Sequence, residues 1–150
     1  MQATQLYDDH GIRTWLLVME KGDEAFTEIT RFAQEHDLNA ASLTAIGACC
    51  SATLAFFDPD LGDYIDRQFN QQMEIAAFLG DIADDDGQPA LHAHAVLGCR
   101  DFSTIAGHVK SLDVFPTMEV VVTETPAHLR KRLDRQTGLT LISPAHSTAP

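Results

Sequence analysis

The stretch Ala90-Leu-His-Ala-His-Ala-Val-Leu-Gly98, followed by Cys99-Arg-Asp-Phe-Ser103 and Thr104-Ile-Ala-Gly-His-Val-Lys-Ser111, decides how the chain reads. Polar and apolar residues alternate from Ala90 to Gly98, the period-two pattern of a half-buried strand. Cys99 to Ser103 turns the chain and Thr104 to Ser111 returns it, which makes an antiparallel hairpin. Residues two apart on a strand share a face, so His92 and His94 stand side by side roughly 6.7 Å apart. A turn centred near Asp101 sets His94 opposite His108 and His92 opposite Lys110. Directly opposed residues hold their Cβ atoms ~5 Å apart, so the three imidazoles can reach one ion.

Working outward, Ile12 to Glu20 is rich in β-branched and large apolar residues and reads as a strand. Lys21-Gly22-Asp23 turns into a helix, with Asp23 as the expected N-cap and Glu24 favourable in the first turn. That helix runs to about His36, with Phe26, Ile29, Phe32 and Ala33 spaced for one buried face. Asn39 to Asp58 is a long apolar stretch of small residues, and Gly47 inside it marks a bulge or a close backbone approach. Asp58-Pro-Asp-Leu-Gly-Asp63 has turn chemistry between Phe56-Phe57 and Tyr64-Ile65, another hairpin.

Met73 to Ala83 reads as a strand and Asp84-Asp-Asp-Gly-Gln-Pro89 as an acidic turn. Met118 to Thr125 is a strongly β-branched strand, and Pro126 is expected to start a short helix over Ala127 to Leu133. The expected class is therefore α+β: a mainly antiparallel sheet, one long helix near the N-terminus and a short C-terminal helix. Residues 1–11 read as an N-terminal extension, 12–142 as one domain, and 143–150, rich in Ser, Thr, Ala and Pro, as a flexible tail.

The 150 residues carry 22 Asp and Glu against 10 Lys and Arg, a formal net charge of −12. A field of that sign repels nucleic acid phosphates and anionic lipid, which are met by clustered cations. The one basic cluster, Arg130, Lys131, Arg132 and Arg135, reads as a solvated helix face. No apolar run approaches the ~20 residues of a membrane span. Met1 to His10 has no basic stretch followed by an apolar core, so no signal peptide is expected. The three cysteines, Cys49, Cys50 and Cys99, form no even framework and read as free thiols of a cytoplasmic protein.

Three neutral imidazoles with an open fourth position form the donor set of a catalytic-type zinc site, and iron, nickel or copper fits it too. The alternative is a histidine-lined polar pocket without metal. His10, His36, His128 and His146 lack comparable spacing and read as surface residues. Glu119 is a candidate general base if its face matches that of His108, which the register across Leu112 to Pro116 decides. Asp84 to Asp86 lacks the spaced ligands of a calcium loop, and Arg100 and Asp101 read as turn residues.

The segments Pro89-Ala-Leu-His-Ala-His-Ala-Val-Leu-Gly98, Gly107-His-Val109 and Thr117-Met-Glu-Val-Val-Val122 resemble the plant and prokaryote conserved (PPC) domain. Its pattern there is a Leu-His-x-His strand, a short turn, a Gly-Gly-His-Leu segment and a Thr-x-Glu-Val strand. Glu20-Lys-Gly-Asp23, Ala45-Ile-Gly-Ala48, Phe57-Asp-Pro-Asp-Leu-Gly-Asp-Tyr64, Glu74-Ile75 and Leu79-Gly80 match as well. The resemblance runs from about Ile12 to Ile142. It implies a mainly antiparallel α+β domain assembled as a homotrimer, with His92, His94 and His108 at the positions that hold a metal, zinc before others, in bacterial members. Ala106 stands where the family has the first Gly of its pair. No Arg-Gly-Arg-Pro hook is present, so the element that binds A·T minor grooves in the plant proteins is missing.

Three function classes follow. One is a metal-dependent binder or enzyme acting on a small molecule at His92, His94 and His108, with the reaction undefined. Another is the DNA-binding or transcription-associated role that bacterial members are labelled with, which the acidity opposes. The last is a trimeric interaction scaffold.

Overall fold

Lys21 and Gly22 turn strand β2 (Ile12–Glu20) into helix α1 (Ala25–Glu35), and the turn uses its carboxylates differently from the sequence reading. Glu24 caps the helix, its carboxylate accepting from the backbone N–H groups of Phe26 at 3.1 Å and Thr27 at 2.8 Å. Asp23 accepts from Glu20 N and pairs with the Met1 ammonium at 2.9 Å, so it is engaged before the helix starts. The longer Glu arm can reach back over the first turn and also accepts from Leu112 N at 2.8 Å, which ties the helix to the sheet. Ala25, Ile29, Phe32 and Ala33 are the buried face of α1. Burying each large apolar side chain there contributes about 1.5–3 kcal/mol.

In this computed structural model, which describes residues 1–10 and 12–148, the other elements are all strands. They are β1 (Gln2–Asp9), β3 (Ala40–Asp58), β4 (Asp63–Phe69), β5 (Met73–Asp85), β6 (Gln88–Gly98), β7 (Thr104–Glu124), β8 (Lys131–Leu133) and β9 (Thr140–Ile142). The main sheet has the order β1-β2-β7-β6-β5-β3-β4, and every pairing in it is antiparallel. Because β3 also pairs with β7, the strands β3, β7, β6 and β5 close into a ring. Odd-numbered residues of β6 (Leu91, Ala93, Ala95, Leu97) point into the core that α1 shares, while His92, His94 and Val96 face outward.

The structure corrects three readings. Residues 2–9 pair with β2 as an edge strand whose side chains are all exposed, which is why no apolar alternation announced it. The two expected strands, Thr104 to Ser111 and Met118 to Thr125, are one: β7 runs through Leu112 to Pro116, and offsets against β3 around Cys49 absorb the irregularity. The short C-terminal helix does not form, and α1 is the helix among the described residues. There the backbone is claimed by neighbours instead: Leu129 O accepts from Asp84 N at 2.8 Å, and Lys131–Leu133 pairs with Thr140–Ile142. Such tertiary pairing outweighs weak local helix preference. Ser143 N donates to Arg130 O, and His128 and Thr148 exchange backbone hydrogen bonds. The last two positions of the expected flexible tail lie outside the described residues.

Candidate metal centre

The two-residue turn at Asp86 and Gly87, both with positive φ, fixes the β5–β6 register, and the Cys99–Ser103 turn fixes that of β6 on β7. His94 faces His108 as the hairpin reading requires, while the β6–β7 ladder stops there and leaves His92 opposite Asp81 of β5. Gly107 lets β7 approach β3 beside His108: a Cβ there would lie 2.9 Å from Ala55 O. Ala106, the departure from the family's glycine pair, is exposed and costs no such approach.

The ring centroids of His92, His94 and His108 are 5.2, 5.2 and 5.4 Å apart, and one nitrogen from each lies within 4.8 Å of the others. His108 Nδ1 is buried and has no hydrogen-bond partner among the described residues. Burial pushes the His108 imidazolium down to about 4, helped by His92, His94 and the charges of Lys110 and Lys131. Burial and then His92 lower that of His94. Neutral imidazoles with an unpartnered nitrogen are the form that binds a transition metal, so the residues fit such an ion.

Asp81 adds what the sequence reading missed. Its Oδ2 lies 3.3 Å from His92 Nδ1, the carboxylate–histidine contact that orients a ligating ring. Its signal was present: a hairpin turning on Asp86-Gly87 sets Asp81 opposite His92. Tyr64 of β4 stacks on His108 at 4.9 Å, and Lys110 Nζ lies 4.7 Å from the Tyr64 ring centroid. A cleft of about 350 Å³ opens beside the cluster, walled by Tyr64, His92, His108, Lys131, Leu139 and Leu141.

Other residues singled out from sequence lie elsewhere. Glu119 pairs with Val18 and Ile46 and lines a separate cleft with Gly47, Glu74 and Thr117. It stands far along β7 from His108 and does not border the histidine cleft. Asp101 accepts from Ser103 N and Oγ and shapes the turn. Arg130, Arg132 and Arg135 are exposed while Lys131 is buried, so the four do not form one solvated face.

An antiparallel β domain with one helix among its described residues and an outward-facing three-histidine cluster defines the class. The family model of the Plants and Prokaryotes Conserved (PCC) domain matches residues 8–126, and the chain belongs to that family. A solved structure from Bacteroides thetaiotaomicron, described as a "putative dna binding protein", aligns with a TM-score of 0.86 at 26% identity, covering 94% of this chain and 96% of that one. A metal-containing protein from Archaeoglobus fulgidus aligns at 0.83 and 28% identity, over 93% and 99%. A plant- and prokaryote-conserved protein from Pyrococcus horikoshii aligns at 0.82 over 95% and 94%; at 22% identity it speaks for the fold alone. No curated protein matches the sequence.

Proposed function

We propose that the chain is a metal-binding member of its family that takes a small molecule at a centre formed by His92, His94 and His108, with one divalent transition metal, zinc before others. The carrying observation is that one nitrogen from each of the three imidazoles lies within 4.8 Å of the others, with His108 Nδ1 buried and without a hydrogen-bond partner among the described residues. The Asp81 contact to His92 and the metal content named for the Archaeoglobus fulgidus relative support it. When bound, such an ion supplies Lewis acidity at its open position. This chain's own part is to keep His94 and His108 neutral and to orient His92 through Asp81. Metal analysis by mass spectrometry, on protein purified after growth in zinc, tests the reading: about one equivalent per chain is expected, and a metal-free protein overturns it.

The same reading includes self-association as a homotrimer in the cytoplasm. Ile46, Phe56, Leu79 and Val121 are large apolar side chains left exposed on outward strand positions, surface that a second copy would cover. Three unpaired cysteines suit a reducing compartment, and no helix among the described residues is long and apolar enough to cross a membrane.

DNA binding is the second reading, favoured by the description of the Bacteroides thetaiotaomicron relative. The net charge of −12 and the burial of Lys131 weigh against it.

A further inference from the structure

Lys131 is 7% exposed, yet none of the ion pairs among the described residues includes it. Its Nζ finds one protein partner, Ala90 O, at 3.4 Å. An ammonium carries three donors, and burying its charge is unfavourable unless an opposite charge meets it. Lys131 lines the 350 Å³ cleft, whose walls also hold His92, His108 and Tyr64. Lys131 is the cation among the lining residues; Lys110 stands near Tyr64 and Asp81 contacts His92, in a molecule of net charge −12. Leu139 and Leu141, from the C-terminal hairpin, supply an apolar wall. Lys131 and that hairpin lie beyond residue 126, where the family-model match ends.

We propose that the recess binds a small organic oxyanion, its carboxylate or phosphate head on Lys131 beside the imidazole cluster and its apolar body against Leu139 and Leu141. The proposal names the ligand class for the three-histidine centre and rests on that reading for the positive charge opposite Lys131. A recess of this volume suits a small molecule and not a polymer.

The test uses full-length protein loaded with cobalt(II), titrated with acetate, butyrate, inorganic phosphate and phenyl phosphate while the visible spectrum is followed. Saturable change is expected, with butyrate tighter than acetate or phenyl phosphate tighter than phosphate; the better pair identifies the head group. Lys131→Met should weaken binding about tenfold or more, the scale of a lost charge-assisted contact. It should leave cobalt uptake unchanged and should not lower the melting temperature, since an uncompensated buried charge is removed, and Lys131→Arg should retain the affinity. Equal affinity in Lys131→Met, or no saturation by any of the four anions, overturns the proposal. If Lys131→Met does not fold, Leu141→Asp at the exposed rim, which adds a like charge, serves in its place and should weaken every anion. Should wild type take up no cobalt, the metal reading falls by itself. Calorimetry of the same anions on metal-free protein then decides: binding that needs Lys131 sustains the anion site, and no heat overturns it.

Discussion

His108 concentrates the electrostatics of the site, and its protonation makes a prediction with a definite sign. The unfolded chain takes up this proton near the ordinary histidine value of about 6.5, whereas burial holds the folded group near 4. Between those values the unfolded state binds more protons, so this contribution to stability is complete above about 6.5 and is lost as pH falls toward 4. Thermal melts of metal-free protein at pH 7 and pH 5 should show a larger acid loss for wild type than for His108→Gln; equal losses would refute this account. At the same scale, His94→Ala should abolish stoichiometric metal and keep the fold, because His94 is exposed and adds nothing to the core. Mass spectrometry with circular dichroism checks both halves, and a full equivalent of metal in the variant would disprove the site. The three histidines were legible because strand period and hairpin register are local properties. Lys131 was not: read on a helix it belonged to a basic face, and only the pairing of Lys131–Leu133 with Thr140–Ile142 turns it inward.

Among the elements, α1 and the hairpins followed from pattern and turn chemistry, since apolar spacing and Asp-Gly turns act over few residues. β1 and the C-terminal strands did not, since their backbone partners come from elsewhere in the chain and their side chains are largely exposed. α1 is held by its buried face, so Phe32→Ala should cost about 3–5 kcal/mol in chemical denaturation. Phe32 is 1% exposed and packs edge-on to Trp15 at 5.3 Å. A cost under about 1 kcal/mol would mean the helix is not anchored there. Gly107→Val should destabilise by about 1–3 kcal/mol, because its Cβ meets backbone with nowhere to move. It should also disturb the neighbouring His108, read as weaker metal retention under chelator.

For the whole molecule, the proposed homotrimer predicts a light-scattering mass of about three times the 16.4 kDa chain at micromolar concentration. A monomer mass would remove that part of the proposal and leave Ile46, Phe56 and Leu79 in water. The charge of −12 predicts no appreciable affinity for generic duplex DNA at physiological salt. Fluorescence anisotropy showing tight binding that collapses as salt rises would restore the DNA reading. Charge is legible from composition alone. Assembly is not, because a sheet face that covers a core and one that meets a neighbour carry the same apolar residues.

The ring closure sets an order of events in time. The turns at Asp86-Gly87 and Cys99–Ser103 bring β5, β6 and β7 together over short loops, and this stretch contains Asp81 and all three clustered histidines. Joining β3 to β7 must pair Ala41 with Glu124 and Ala55 with His108, contacts distant in sequence, whose loop entropy is the slow part of folding. By this argument the histidine cluster belongs to the short-loop meander, and the long-range seams that β7 makes with β2 and β3 should close after it on refolding.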